Sequence, residues 1–193
     1  MARVLFDDVV YTDYGILDLM WAADGYWDGD YDRFFAGQDN GLVGAADPKG
    51  IYLCLARMSG GSRVTIRLHD AEPPVDTEGW EDVVEVSTVI PQGAAPTWQT
   101  FAGDTSGPLE LEPGPYRVRV SARGRDEANP ARTGAVEDGA VVDFYLVDFW
   151  PAHWTLDAVI QTVSEDAATW HAQVGGRTCG QPPGQADAEE AAS

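Results

Sequence analysis

Residues Glu112-Pro-Gly-Pro-Tyr116 read as a turn, and a long run of strict alternation leaves it. Proline presets φ, and glycine supplies the positive φ that other residues avoid. After the turn, Tyr116, Val118, Val120 and Ala122 alternate with Arg117, Arg119, Ser121 and Arg123. A period of two places the apolar set on one face of a strand and the polar set on the other. Before the turn, Leu109 and Leu111 alternate with Glu110 and Glu112, which predicts a strand there too.

The same kind of signal recurs along the chain. Residues 9–12 and 15–20 read as extended, with Tyr14-Gly15 between them. Residues 51–56 are a continuous apolar run, as expected of a strand buried on both faces. In residues 63–69, Val64, Ile66 and Leu68 alternate with Arg63, Thr65, Arg67 and His69. Residues 82–90 are rich in Val and Thr, and residues 141–150 form a last strand that stops at Pro151. Short strands punctuated by turns predict an all-β fold, a β-sandwich of roughly seven to nine antiparallel strands. Ser59-Gly-Gly-Ser62 reads as a hairpin turn. One helix is expected at residues 164–174, with Ser164 as N-cap, acids in the first turn and Gly175-Gly176 as the stop. Residues 123–140 read as a long exposed loop. The domain is expected to span 1–174, with 175–193 a disordered tail, because that segment has no apolar periodicity.

Charge narrows the function classes. Twelve Lys plus Arg stand against 32 Asp plus Glu, a net charge of −20. Such a chain repels nucleic acid and anionic membrane and attracts basic partners or cations. No apolar run approaches the roughly 20 residues of a membrane-spanning helix. The first residues lack the pattern of a secretory signal, so a cytoplasmic location is expected. Cys54 sits in an apolar run and reads as a packing residue, and Cys179 falls in the tail. The two are not expected to pair, and their spacing matches no zinc or redox motif.

The most unusual segment is Trp21-Ala-Ala-Asp-Gly-Tyr-Trp-Asp-Gly-Asp-Tyr-Asp-Arg-Phe-Phe35, in which aspartates interleave with aromatics. Asp28, Asp30 and Asp32 copy the first three ligand positions of a calcium loop. The sixth position is Arg33 rather than the glycine its turn needs, and no metal site or other cofactor is expected. As a recognition loop, the segment would offer Trp21, Asp24, Tyr26, Trp27, Asp28, Asp30, Tyr31 and Asp32 to a partner. As an ordinary acidic loop, it would fold its aromatics back onto the core.

Catalysis has little support. His69, His153 and His171 lie near no serine or cysteine nucleophile in a known arrangement, so the chain is not expected to be an enzyme. Arg63, Arg67, Arg117, Arg119 and Arg123 fall on the polar faces of predicted strands. Cross-strand ion pairs, with Glu110 and Glu112 as candidate partners, are the favoured reading over an anion site.

Three groups of residues in order resemble the competence protein J family of bacteria. They are Gly41-Leu-Val-Gly-Ala-Ala-Asp47 with the apolar strand after it, Pro108-Leu-Glu-Leu-Glu-Pro-Gly-Pro-Tyr-Arg-Val-Arg-Val120, and Asp143-Phe-Tyr-Leu-Val-Asp-Phe-Trp150. The resemblance spans most of residues 9–150. It implies a β-sandwich and an inhibitor or immunity role, and assigns no functional residue. The expected function is therefore an acidic protein-binding domain, an inhibitor or immunity-type partner of a basic protein such as a nuclease. Neither direct nucleic-acid binding nor membrane binding is expected. The alternative is a small-ligand or carbohydrate-binding β-sandwich that uses exposed aromatics.

Overall fold

The computed structural model describes residues 2–22, 32–103, 105–129 and 139–174. Its strands are β1 (Ala2–Asp13), β2 (Ile16–Met20), β3 (Val43–Gly44), β4 (Gly50–Cys54), β5 (Ser59–His69) and β6 (Asp82–Ile90), followed by β7 (Thr97–Thr100), β8 (Ser106–Pro108), β9 (Gly114–Arg123), β10 (Phe144–Pro151) and β11 (Ala158–Gln161). Two helices are described, the single turn α1 (Arg125–Ala128) and α2 (Glu165–Val174).

The strands form two sheets. Sheet A has six in the order β1-β5-β10-β9-β6-β11, and sheet B has five in the order β3-β4-β2-β7-β8. The core lies between them. Val64, Ile66, Val84, Val86, Val118, Val120, Val147 and Phe149 of sheet A meet Leu17, Leu19, Val43, Ile51 and Leu53 of sheet B in one buried cluster. The period-two runs of β5 and β9 thus face inward as their sequence predicts.

The sandwich and its C-terminal helix are as expected, with four differences. First, β5 and β10 are parallel, not antiparallel, from Phe144↔Arg63 to Phe149↔Leu68. The long stretch of chain between them lets the later strand return in either direction, and local turn signals do not report it. Second, Ser59-Gly-Gly-Ser62 continues β5, paired with Tyr11, Thr12 and Asp13 of β1, and makes no turn. Glycine is needed at position 60 because φ there is 122°, and a Cβ would in addition crowd the buried Arg57 side chain. Third, Leu109 and Leu111 are buried but belong to no strand. Fourth, β3, β7, β8 and β11 add strands beyond the predicted set, and α1 lies in the predicted loop.

Sheet B is covered on its outer side as well. Phe34 and Phe35, in a 3-10 turn at Asp32–Phe35, pack with Ile16, Met20, Tyr52 and Cys54, and Trp170 of α2 lies against them.

Candidate partner-binding surface

Of the residues named for a recognition loop, Asp24, Tyr26, Trp27, Asp28, Asp30 and Tyr31 lie outside the described residues; Trp21 and Asp32 lie within them. Trp21 is 3% exposed and belongs to the core. It continues the inward side of β2 after Leu17 and Leu19. Its indole Nε1–H donates to Thr88 Oγ1 at 3.3 Å, and its backbone N–H donates to Lys49 O at 2.8 Å. In the free chain, therefore, Trp21 is a packing residue and not a surface anchor. Asp32 opens the 3-10 turn, where Phe34 stacks on Tyr52 at 5.3 Å and Phe35 meets the same ring edge-on at 5.9 Å. Both ends of the acidic span are thus fastened to sheet B by buried aromatics.

A second polar group is sealed inside. Arg125, 1% exposed, donates through Nε and Nη2 to Asp166 Oδ2 at 3.0 and 2.6 Å. Its Nη1 donates to Cys54 O at 2.8 Å and to Tyr145 Oη at 3.3 Å. Asn129 Nδ2 donates to Asp166 Oδ1 at 2.6 Å. Burial works against a charge on Arg125, yet Tyr145 and Asp166 hold it above the ordinary arginine range. Burial raises the Cys54 thiol to about 11, which makes it an inert packing group as expected and not a nucleophile. Gly124 makes the approach possible, with φ 76° at a point where a Cβ would stand 2.0 Å from Val142 O. The opening of α2 is held as well. Asp126 accepts from the backbone N–H groups of Glu165 and Asp166, Asp82 accepts from those of Val163 and Ser164, and the Ser164 hydroxyl accepts from Ala167 N at 3.0 Å. The arrangement clamps α2 onto the sandwich.

Of the five arginines named from the sequence, Arg63, Arg67, Arg117 and Arg119 are spent on cross-strand pairs, none of them with Glu110 or Glu112. Asp148 accepts both Nε and Nη2 of Arg67, at 2.7 and 2.8 Å, and lies 2.7 Å from His69 Nε2. Glu85 accepts Arg117 Nε at 3.0 Å and Arg119 Nε at 2.7 Å. Arg67, Asp148, Arg119 and Glu85 therefore alternate in sign across β5, β10, β9 and β6 in one register row. Glu110 instead pairs with Arg3, and the leucines on either side of it are buried in the core. Two loops roof this face. Arg119 Nη1 donates to the carbonyls of Pro73 and Pro74, both at 3.0 Å, and Arg117 Nη1 donates to those of Thr155 and Leu156 at 3.1 and 2.7 Å. Arg123, the exposed member of the set, has its guanidinium 4.5 Å from the Phe144 ring.

The free edge of sheet A is different. Strand β11 pairs with β6 on one side, and no described strand pairs with the other. Leu156, Val159, Ile160 and Val163 are 47, 41, 38 and 64% exposed. Sequence reasoning missed this element, although its signal was present: Ala158-Val-Ile-Gln-Thr-Val163 is β-branched, uncharged and bounded by Asp157 and the Ser164 cap. Two of the surface depressions are lined by described residues. One, lined in part by Trp154 and Asp157, is about 30 Å³, enough for a single water. The other is a groove of about 440 Å³ at Pro113, Pro115, Tyr116, Pro151 and His153, whose one aromatic is a buried tyrosine.

No family model and no curated protein matches this sequence. Two solved structures do resemble the fold. One is ComJ, the inhibitor of the DNA degrading activity of NucA, from Bacillus subtilis; it is 15% identical with a TM-score of 0.51, over 79% of this chain and 99% of that one. The other is the crocagin biosynthetic gene J protein, 15% identical with a TM-score of 0.49 and the same two coverages. The resemblance to the competence protein J family thus extends to the three-dimensional fold.

Proposed function

We propose that this chain is an acidic protein-binding domain of the inhibitor or immunity type, and that its partner is a basic protein such as a nuclease. The disposition of charge carries the reading. Arg3, Arg33, Arg63, Arg67, Arg117, Arg119 and Arg125 each pair with a carboxylate of the same chain. The pairs in sheet A and at α2 lie in structural positions, while Asp8, Asp70, Asp76, Glu78 and Glu127 are exposed and Asp24, Asp28 and Asp30 fall in the span between Trp21 and Asp32. Such a surface steers a cationic protein on encounter and can present carboxylates where a nuclease expects phosphates. A fold shared with an inhibitor of a DNA-degrading protein supports the same reading. The reading is of a binder and not a catalyst. The thiol, phenol and guanidinium of Cys54, Tyr145 and Arg125 are buried in the core.

The test is affinity capture from the native cell, followed by stopped-flow association of the purified captured protein at several ionic strengths. A basic partner is expected, with association slowing steeply as salt rises. The triple change Asp28→Asn, Asp30→Asn and Asp32→Asn should slow association and flatten that dependence. Salt-independent association with an acidic or neutral protein would overturn the proposal.

A further inference from the structure

We infer that β11 is a docking edge, and that its occupant is an extended, basic segment of the partner that adds to sheet A as a seventh strand. The inference rests on the basic partner proposed above and goes further, by naming where and how it binds. Exposed strand edges present unpaired N–H and C=O groups, and proteins ordinarily blunt them with charges, prolines or bulges. The opposite edge of the same sheet follows that rule. Strand β1 carries Arg3, Asp7, Asp8 and Asp13 and a register break between Val4 and Phe6. Strand β11 has no charge and no proline, and Val159, Ile160 and nearby Val163 are exposed. Each edge strand has one register break, between Val4 and Phe6 in β1 and between Val159 and Gln161 in β11, so the two edges differ in charge and not in regularity.

Charge selects the occupant. Gln161 Nε2 donates to Trp80 O at 2.6 Å and to Glu81 O at 3.3 Å, which fixes the end of the 70–81 loop beside β11. That loop carries exposed Asp76 and Glu78, and Glu165 stands exposed just past the strand. An incoming strand would therefore pair its backbone with β11, lay apolar residues on Val159 and Val163, and direct Lys or Arg toward these carboxylates. A second copy of this chain would bring like charges together at the same place and is disfavoured.

The test uses the full chain and three capped peptides of equal length: an alternating Lys-Val strand, the same peptide N-methylated on alternate residues, and an alternating Glu-Val strand. Binding is read by fluorescence anisotropy, and amide exchange is followed at residues 158–161. The Lys-Val peptide should bind, protect those amides, and bind at least tenfold more tightly than either of the others. Ile160→Lys should weaken it by a similar factor, with the melting temperature of the free protein unchanged. Equal binding of the methylated peptide, with salt dependence intact, would overturn the edge while leaving a basic partner standing. Equal binding of the Glu-Val peptide would overturn the basic partner itself. No binding of the Lys-Val peptide at millimolar concentration overturns the inference, as does a wild-type dimer in sedimentation that Ile160→Lys dissolves.

Discussion

Removing Asp166 tests the clamp between α2 and the sandwich. Asp166 accepts three hydrogen bonds, two from Arg125 and one from Asn129. Among the described residues, the guanidinium of Arg125 in Asp166→Ala keeps Cys54 O and Tyr145 Oη as partners and remains buried without its carboxylate. Breaking a buried pair in this way costs about 3–5 kcal/mol. At about 2–4 °C per kcal/mol for a chain of this size, the melting temperature should fall by roughly 10 °C. Urea unfolding followed by tryptophan fluorescence gives the free energy by linear extrapolation. The paired replacement Arg125→Met with Asp166→Leu removes both charges and should recover most of the loss, since an apolar pair of similar volume is often as stable as the ion pair. A single Asp166→Ala change costing under about 1 kcal/mol, with an unchanged slope, would refute the reasoning, because it would mean that the charge is not desolvated. So would a double variant as unstable as the two singles added together.

Three further outcomes are expected. Trp21→Ala should destabilise the free protein by about 3–5 kcal/mol in the same unfolding assay, because the ring is core. Gly124→Ala should cost more than about 1 kcal/mol, since it combines a positive φ with a collision at Val142 O; thermal melting checks it. Titration should show two opposite trends, each read against its own variant. His171 Nδ1 accepts from Gly41 N at 2.9 Å, and burial lowers its pKa. The unfolded chain therefore binds more protons near the ordinary histidine value, and stability should fall as pH drops below about 6.5, a trend His171→Leu should lack. Burial raises the pKa of Asp143, whose Oδ2 accepts from the Ser62 hydroxyl at 2.8 Å. Here the native state holds its proton longer, so this contribution is full below the ordinary carboxylate value of about 3.9 and is lost as pH rises through the folded pKa, and Asp143→Asn should remove it.

The period-two patterns of β5 and β9, the apolar run of β4 and the Ser164 cap of α2 were legible in the sequence because each is a local property of consecutive residues. Acidity was legible for the same reason, and so was the likeness to one bacterial family. The parallel pairing of β5 with β10 was not, because strand direction over such a separation is set by the path of the chain through the core. The partners of Arg117 and Arg119 were misplaced for a related reason. Which acid lies opposite an arginine depends on which strand lies beside it, and Glu85 of β6 took the place expected for Glu110 and Glu112. Trp21 reads as a surface anchor when it is grouped with the aspartates that follow it, and as core once β2 is seen to point it between the sheets. The residues of β11 were equally visible in the sequence, but an uncharged Val-Ile run means something different in the middle of a sheet and at its edge. Only the order of the strands, which places β11 last in sheet A, decided that its second side is free.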